Sequence, residues 1–449
     1  MFETLSLKRL STGGAAIGQL ADGRTAFIDY GCPGDVACAV IDTEKPRFVR
    51  GHVKSLVEAS PQRTAPRCPV FGWDGCGGCQ WQHLDPDVAR AAKRDLVGDA
   101  LTRIGKLPDV EPLTAPTLGA AEAYGYRNKI ELEARLVKGR LELGFHRAGS
   151  GELINPDACP LFSGPQKDLL KAVRGALRYG LGSTDFGLSR VALRYSARTG
   201  AFEIACVTEP GTFPRARVAQ TLKTACPQAT SIVRVLQKTP ARGNGRRVAA
   251  PQFKGVEVLA GAGYWEERLG GFTYKVSAPS FFQVNTAAAE LLVAYALREL
   301  AVDGSDHVAD LYCGVGTFSL PLATAAGALT AVESSGPALR DLRRNLHDAG
   351  LSGEVIGGEV GRDSAAITGV DALVVDPPRA GLAPAACAEI ARLKPARLAY
   401  VSCDPATLAR DLAILTGEGS AYDLRAVQPV DLFPQTAHVE CVATLSRRA

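Results

Sequence analysis

The sequence predicts an α/β protein. A C-terminal Rossmann-like, doubly wound sheet follows a central α+β domain and an N-terminal OB-like β-barrel. Three observations carry this. From about residue 272 onward, short apolar strand-like runs alternate with segments of helical period. Residues 1 to about 59 consist of short strand-like runs punctuated by glycine. The stretch between combines a cysteine-rich loop, one long helix and β-hairpin signals. A chain of 449 residues has room for such domains. The composition shifts place their boundaries at 1–59, 60–270 and 271–449.

In the N-terminal unit, 25–30 and 37–41 read as strands, separated by Gly13-Gly14, Asp22-Gly23 and Cys32-Pro33-Gly34. Small barrels of this kind often bind nucleic acid; an inert accessory domain fits the same pattern. Residues 60–82, rich in Pro, Gly and Cys, read as a loop. Residues 85–104 form a helix, because Leu96, Val97, Ala100, Leu101 and Ile104 repeat with its period and Gly105 ends it. Strands at 130–136 and 141–146 flank Lys138-Gly139, a hairpin signal. In the last domain helices are expected at 286–300, 319–324, 337–349, 384–393 and 406–415. Strands are expected at 307–312, 329–332, 373–375, 398–402 and 438–445, most of them in a parallel sheet.

The bulk properties exclude several classes. Apolar residues make up 46% and charged residues 22%, an ordinary globular balance, and no apolar run is long enough for a membrane span. The N-terminus shows no basic-then-apolar signal, so a cytoplasmic protein is expected. Twelve cysteines in a reducing compartment point to metal binding, catalysis or core packing rather than disulfides. The net charge is only +4, but Lys45, Arg47, Arg50, Lys54, Arg63 and Arg67 face a single acid, Glu58, within their run. A second run, with Arg234, Lys238, Arg242, Arg246 and Arg247, holds no acid. Such runs are commonly solvated surface; two in one chain suit a polyanionic partner.

Cys403 lies where a buried strand runs into a helix, with Asp404 as cap and Pro405 as first helical residue. Helix N–H groups and the helix dipole favour a thiolate there. A lone cysteine after a strand is more often inert core than catalyst. In Asp310-Leu311-Tyr312-Cys313-Gly314-Val315-Gly316-Thr317-Phe318, Gly314 and Gly316 let the backbone turn closely against a ligand. Glu333, nineteen residues after Gly314, is placed to hold ribose hydroxyls. The third glycine of a dinucleotide loop is replaced by Ser319. An adenosine-bearing ligand without a pyrophosphate fits better, and S-adenosylmethionine is such a ligand. Asp376-Pro377-Pro378-Arg379 ends a strand, where open α/β sheets bind ligands; a merely rigid turn is the other reading. Cys68, Cys76 and Cys79, with Cys159 as the candidate fourth, can hold a zinc ion or an iron–sulfur cluster. Tyr124-Gly125-Tyr126-Arg127-Asn128-Lys129 offers rings and cations for stacking on RNA bases, or tyrosines for a β core.

Four motifs occur in one order: Ser280-Phe281-Phe282-Gln283-Val284-Asn285, Asp310-Leu311-Tyr312-Cys313-Gly314, Asp376-Pro377-Pro378-Arg379-Ala380-Gly381, and Val401-Ser402-Cys403-Asp404-Pro405 continuing to Asp411. With the closing His438-Val439-Glu440, this set resembles the S-adenosylmethionine-dependent RNA uridine-C5 methyltransferases along essentially the whole chain. The resemblance implies that Cys403 attacks uracil C6 and that Glu440 removes the C5 proton. It implies that Gln283, Tyr312, Gly314, Glu333 and Asp376 contact the methyl donor or the base. Thr317 and Glu359 lie in surroundings that match the family less closely. Arg379 stands where the related cytosine enzymes carry a second cysteine, which favours uracil. The three-plus-one cysteines resemble the 4Fe-4S site of many members, with seven residues rather than the more usual five in the first spacing. The N-terminal unit resembles a TRAM domain, and the helix at 85–104 is expected to pack on the catalytic domain.

The expected enzyme is a monomer that extrudes one uridine from structured RNA, 23S rRNA in the first place and tRNA as the alternative. An iron–sulfur RNA-binding protein without catalysis and a small-molecule methyltransferase are the competing classes. Cys403 and Glu440 argue against the first, the barrel and basic runs against the second. Asp404 replaces the asparagine usual in the family, and its carboxylate would oppose a neighbouring thiolate.

Overall fold

The computed structural model describes residues 2–238 and 252–448. The loop expected at 241–245, which carries Arg242, and the neighbouring Arg246 and Arg247 lie outside the described residues.

Residues 2–58 build a six-stranded sheet. Its spatial order is Phe2–Ser6, Val36–Glu44, Phe48–Glu58, Thr25–Asp29, Ala16–Gln19 and Arg9–Leu10. All neighbours are antiparallel except Thr25–Asp29 with Phe48–Glu58. Alternation decides its faces: Ala26 and Ile28 point inward while Phe27 between them does not. The inner face closes over Trp81 and Leu84, and the Trp81 indole N–H donates to the Gly14 carbonyl at 2.9 Å.

The helix Pro86–Arg103 is capped by Asp85, which accepts from the Asp87 N–H at 2.8 Å. It serves two cores. Ala89 and Leu96 pack with the N-terminal sheet, whereas Val97 and Leu101 pack with Leu408 and Leu412 of the C-terminal domain.

The central part holds a seven-stranded sheet in the order Leu153–Ile154, Arg140–His146, Lys129–Val137, Leu188–Tyr195, Phe202–Thr208, Ser231–Lys238 and Gln252–Gly261. Helices Leu169–Leu181 and Arg215–Ala225 bury their apolar faces against it. Lys138 and Gly139 both have positive φ (50° and 75°), which a two-residue hairpin turn demands.

The C-terminal sheet has eight strands in the order Glu354–Gly357, Ala328–Glu333, His307–Leu311, Ala372–Val375, Arg397–Ser402, Glu440–Arg447, Tyr422–Asp431 and Leu118–Gly119. Successive strand residues alternate between two cores. Val374, Ala399 and Val401 face one; Leu373, Val375 and Tyr400 face the other. A sheet covered on both faces needs such continuous apolar runs. It is not parallel throughout: Glu440–Arg447 runs antiparallel between Arg397–Ser402 and Tyr422–Asp431. The physical reason is the short connection at 432–439, which cannot make the crossover of a dozen or more residues that a parallel neighbour requires. Trp265 and Leu269, on the central side of the boundary expected at 270, are buried in the C-terminal core. Among the described residues no helix is long and apolar enough to cross a membrane.

Candidate active site

The sheet register brings the sequence-predicted residues to one edge. Leu311 pairs with Val332 and Val375, and Val375 pairs with Tyr400. Tyr312, Glu333 and Asp376 therefore leave their strands at the same level. Ser402 pairs with Cys441, so the next residues outward are Cys403 and Glu440. The antiparallel strand thus delivers Glu440 to the edge where its parallel neighbours end.

Burial pushes the Cys403 thiol up to about 11; the charges of Glu440 and Asp376 add to this, and the Arg379 guanidinium opposes it. Burial thus opposes the thiolate that a helix terminus is expected to favour. The donors at that terminus are already engaged, since Asp404 Oδ1 accepts from the N–H groups of Ala406 (2.9 Å) and Thr407 (3.2 Å). Arg379 Nε stands 3.6 Å from Asp404 Oδ2. The Asp404 carboxylate is thus taken up by the helix cap and a cation. Glu440 is only 4% exposed. Burial first, and the Asp376 charge second, hold its carboxyl well above the usual range. Burial pushes Asp376 up to about 7.

Gly314 and Gly316 have φ of 57° and 100°, and a Cβ on Gly316 would come within 2.7 Å of Leu320 and Leu342. Tyr312 has φ of 64°, a left-handed conformation uncommon for a residue with a side chain. The Glu333 carboxylate accepts from the N–H groups of Gly314 (3.0 Å) and Ser335 (2.6 Å), which fixes it beside the loop. Gln283 is buried, and its carbonyl accepts from the Asn128 side chain at 2.9 Å. The Thr317 carbonyl faces the Tyr274 hydroxyl at 3.5 Å. Glu359 is exposed, beyond Glu354–Gly357, and pairs with Arg362 at 3.2 Å. Its charge is felt at the Tyr312 hydroxyl, which burial chiefly raises.

Two acids given no role from sequence emerge. Asp310 is fully buried and pushed to about 7 by burial; Ser319 donates to its Oδ2 at 2.5 Å. Its Oδ1 is buried without a partner among the described residues. An acid within an otherwise apolar strand was the available signal. Asp411 accepts from the Tyr400 hydroxyl (2.6 Å), the Leu382 N–H (2.8 Å) and Arg410 (2.7 Å). It ties the segment after Asp376 to the helix after Cys403. Gly381, with φ of 77°, lies so close that a Cβ would meet Asp411 Oδ2 at 2.5 Å.

Cys68, Cys76, Cys79 and Cys159 line one cavity of about 350 Å³. Among the described residues no three Cys, His, Asp or Glu side chains are grouped to hold a single metal ion. The Gly78 N–H donates to the Cys76 sulfur at 3.4 Å, and Gln82 accepts from the Cys68 N–H at 3.1 Å.

Some expected RNA contacts are occupied elsewhere. Arg63 pairs with buried Asp35 at 2.7 Å. Arg234 is fully buried, bonded to Thr208 (2.7 Å) and Glu257 (3.2 Å). Tyr126 and Asn128 are buried, and Lys129 pairs with Glu131 at 2.7 Å. Lys45, Arg47, Arg50 and Lys54 stay exposed on the N-terminal sheet, where Arg50 lies 5.3 Å over the Phe27 ring.

A mixed α/β sheet with a glycine loop after one strand, and a cysteine facing acids at its carboxyl edge, defines a methyltransferase fold. The family model described as tRNA (Uracil-5-)-methyltransferase matches residues 264–352 and 367–448. An uncharacterized RNA methyltransferase of Gloeobacter violaceus is 35% identical over 99% of this chain and 96% of its own length. Another, of Thermosynechococcus vestitus, is 36% identical over 98% and 97%. The crystal structure of Pyrococcus abyssi tRNA (uracil-54, C5)-methyltransferase with S-adenosyl-L-homocysteine superposes with a TM-score of 0.73. It is 25% identical and covers 99% of this chain and 100% of that one. The chain belongs to the RNA methyltransferase family of these relatives, and its C-terminal part matches the uracil-5-methyltransferase family model.

Proposed function

We propose that the protein methylates C5 of a uridine in structured RNA, with S-adenosylmethionine as donor, through a covalent bond between Cys403 and uracil C6. The observation that carries this reading is the meeting of Cys403, Glu440 and Asp376 at one sheet edge beside the glycine loop. Gln283, Tyr312, Gly314, Glu333 and Asp376 would hold the donor, with Thr317 and Glu359 as weaker candidates. The Pyrococcus neighbour, solved with S-adenosyl-L-homocysteine, supports that choice. When bound, the donor supplies an electrophilic methyl group.

The Cys403 thiol gives up its proton to water and the sulfur adds to C6, while the electron pair of the C5–C6 double bond moves toward C4 as an enolate. C5 thereby becomes nucleophilic and would take the donor's methyl group, the methyl–sulfonium bond breaking and S-adenosylhomocysteine leaving. Glu440 then takes the C5 proton; the double bond re-forms and the sulfur leaves. A carboxyl held above its usual range is suited to that proton. Arg379 favours the sulfur anion during both addition and departure.

We read residues 1–59 as a TRAM-type barrel and 60 to about 263 as a central domain that lends its first helix to the catalytic domain that follows, in whose core Trp265 and Leu269 lie. RNA is held through the exposed cations and the Phe27 ring of the N-terminal sheet. The four cysteines fit a 4Fe-4S cluster better than zinc. Thiolates on one zinc crowd around a single ion at about 2.3 Å, whereas each thiolate of a cluster binds a different iron across a wider cavity. Cys68, Cys76, Cys79 and Cys159 would hold it. The resemblance to cluster-bearing family members with such an N-terminal unit implies 23S rRNA as substrate; the family model and the Pyrococcus neighbour favour tRNA as the second reading.

The test is deletion of the gene, with C5 methylation of uridines mapped in both rRNA and tRNA. Loss at one uridine, restored by the wild-type gene but not by Cys403→Ala, is expected; restoration by the variant removes Cys403 from its role. Anaerobically purified protein should be brown with about four irons per chain; a colourless zinc protein refutes the cluster.

A further inference from the structure

Tyr126, Arg127 and Asn128, expected at an RNA surface, reach three different places instead. The Tyr126 hydroxyl donates to the Pro434 carbonyl at 2.9 Å, in the connection that leads to Glu440. Arg127 lines the cysteine cavity. The Asn128 side chain donates to the Gln283 carbonyl (2.9 Å) and to Thr286 Oγ1 (3.1 Å), and its backbone N–H donates to Val284 (2.8 Å). One short segment therefore touches the cavity, the approach to the candidate base and the loop carrying Gln283.

The cavity wall makes the same connections. The Arg127 N–H donates to the carbonyl of Leu161, two residues after Cys159, at 2.8 Å. Beside Cys79, the N–H groups of Gln80 and Trp81 both donate to the Gln435 carbonyl, at 3.1 and 3.0 Å. Two cations stand on the wall. Lys129 is paired with Glu131 at 2.7 Å. Arg127 has no carboxylate within 4.0 Å among the described residues; its Nε is 3.4 Å from the Tyr126 hydroxyl. A guanidinium without a carboxylate, facing four cysteines in a largely apolar cavity, calls for an anion inside it.

We propose that Tyr126, Arg127 and Asn128 are positioning residues that couple the filling of the cysteine cavity to the geometry of the methyl-transfer site. The inference rests on the iron–sulfur reading. An anionic cluster attracts the Arg127 guanidinium strongly in low-dielectric surroundings. That attraction holds the segment in place, and with it the hydrogen bonds to Pro434 and Gln283. With the cavity empty, the cation loses its partner and relaxes toward water, and both loops loosen.

The test is backbone hydrogen exchange on the full chain, purified anaerobically with iron and measured again after oxidative iron removal. Protection should fall about tenfold at 280–286 and 432–438, the size expected for losing buried hydrogen bonds, while strands 2–29 keep theirs. In the iron-loaded protein, Tyr126→Phe should lose protection at 432–438 only. Asn128→Ala should keep the visible absorbance and bind S-adenosylhomocysteine about tenfold more weakly. Arg127→Gln should move the cluster's midpoint potential to more negative values and weaken the same ligand, with Arg127→Lys restoring most of both. Unchanged exchange after iron removal overturns the coupling, even where Arg127→Gln fails to fold. A protein that never holds iron refutes the cluster and this inference together; a loaded protein with unchanged exchange refutes the coupling alone.

Discussion

The pH dependence of alkylation at Cys403 separates two opposed physical effects. A thiol at a helix N-terminus is expected to have a depressed pKa, and the same thiol among buried carboxyls a raised one. In the folded chain burial dominates and Glu440 and Asp376 add to it, so the thiol sits at about 11. At pH 8 roughly one molecule in a thousand then carries the thiolate, about two hundredfold less than for an ordinary thiol near 8.5. Iodoacetamide labelling of Cys403, followed by peptide mass spectrometry from pH 7 to 10, should rise about tenfold per unit with no plateau. Because burial also slows access, the slope is the diagnostic and not the absolute rate. Arg379→Gln, which removes the favourable cation, should slow labelling further, and Arg379→Lys should largely restore it. A plateau below pH 8 would show that the helix terminus wins and would refute the burial argument.

Three further outcomes are expected. Glu440→Gln should form the Cys403 adduct without resolving it, leaving a protein–RNA species of reduced mobility on denaturing gels; its absence assigns proton removal to another group. Asp411→Asn converts an acceptor of three hydrogen bonds into a mixed donor and acceptor and leaves Arg410 without its carboxylate. It should cost about 2–4 kcal/mol in denaturant unfolding, and a loss under 0.5 kcal/mol would contradict the role of Asp411 in tying Leu382 to Tyr400. Asp310 has a folded pKa near 7 against about 3.9 unfolded. Its protonated form favours the fold, so its contribution is complete below pH 4 and is lost as pH rises through 7. The melting temperature of wild type relative to Asp310→Asn should therefore decline from pH 5 to pH 8; a constant difference would show that Asp310 does not titrate there.

Much of this protein was legible in its residues one after another. The strand–helix alternation after residue 272 followed from apolar period, because a sheet covered on both faces needs unbroken apolar strands. The helices Thr286–Leu300 and Pro384–Leu393 have the expected bounds, since Asn285 caps the first and Pro384 opens the second. The glycine loop, Asp376 and Cys403 could be read as chemistry because each sits at a strand end, and strand ends are local features.

What the tertiary structure decided are the quantities that depend on distant neighbours. The direction of the Cys403 pKa is one: Glu440 is 37 residues away in sequence and adjacent in the sheet. The fate of the cations is another. Arg63 and Arg234 look like Lys45 and Arg47 in the sequence, but Asp35 and Glu257 claim them. The antiparallel strand that presents Glu440 is a third, because the short connection at 432–439 excludes a crossover only once its neighbour is known. Tyr126, Arg127 and Asn128 show the limit most directly. An aromatic beside a cation reads as a nucleic-acid surface by composition, and burial, a property of the whole chain, turned it into a brace between the cysteine cavity and the methyl-transfer edge.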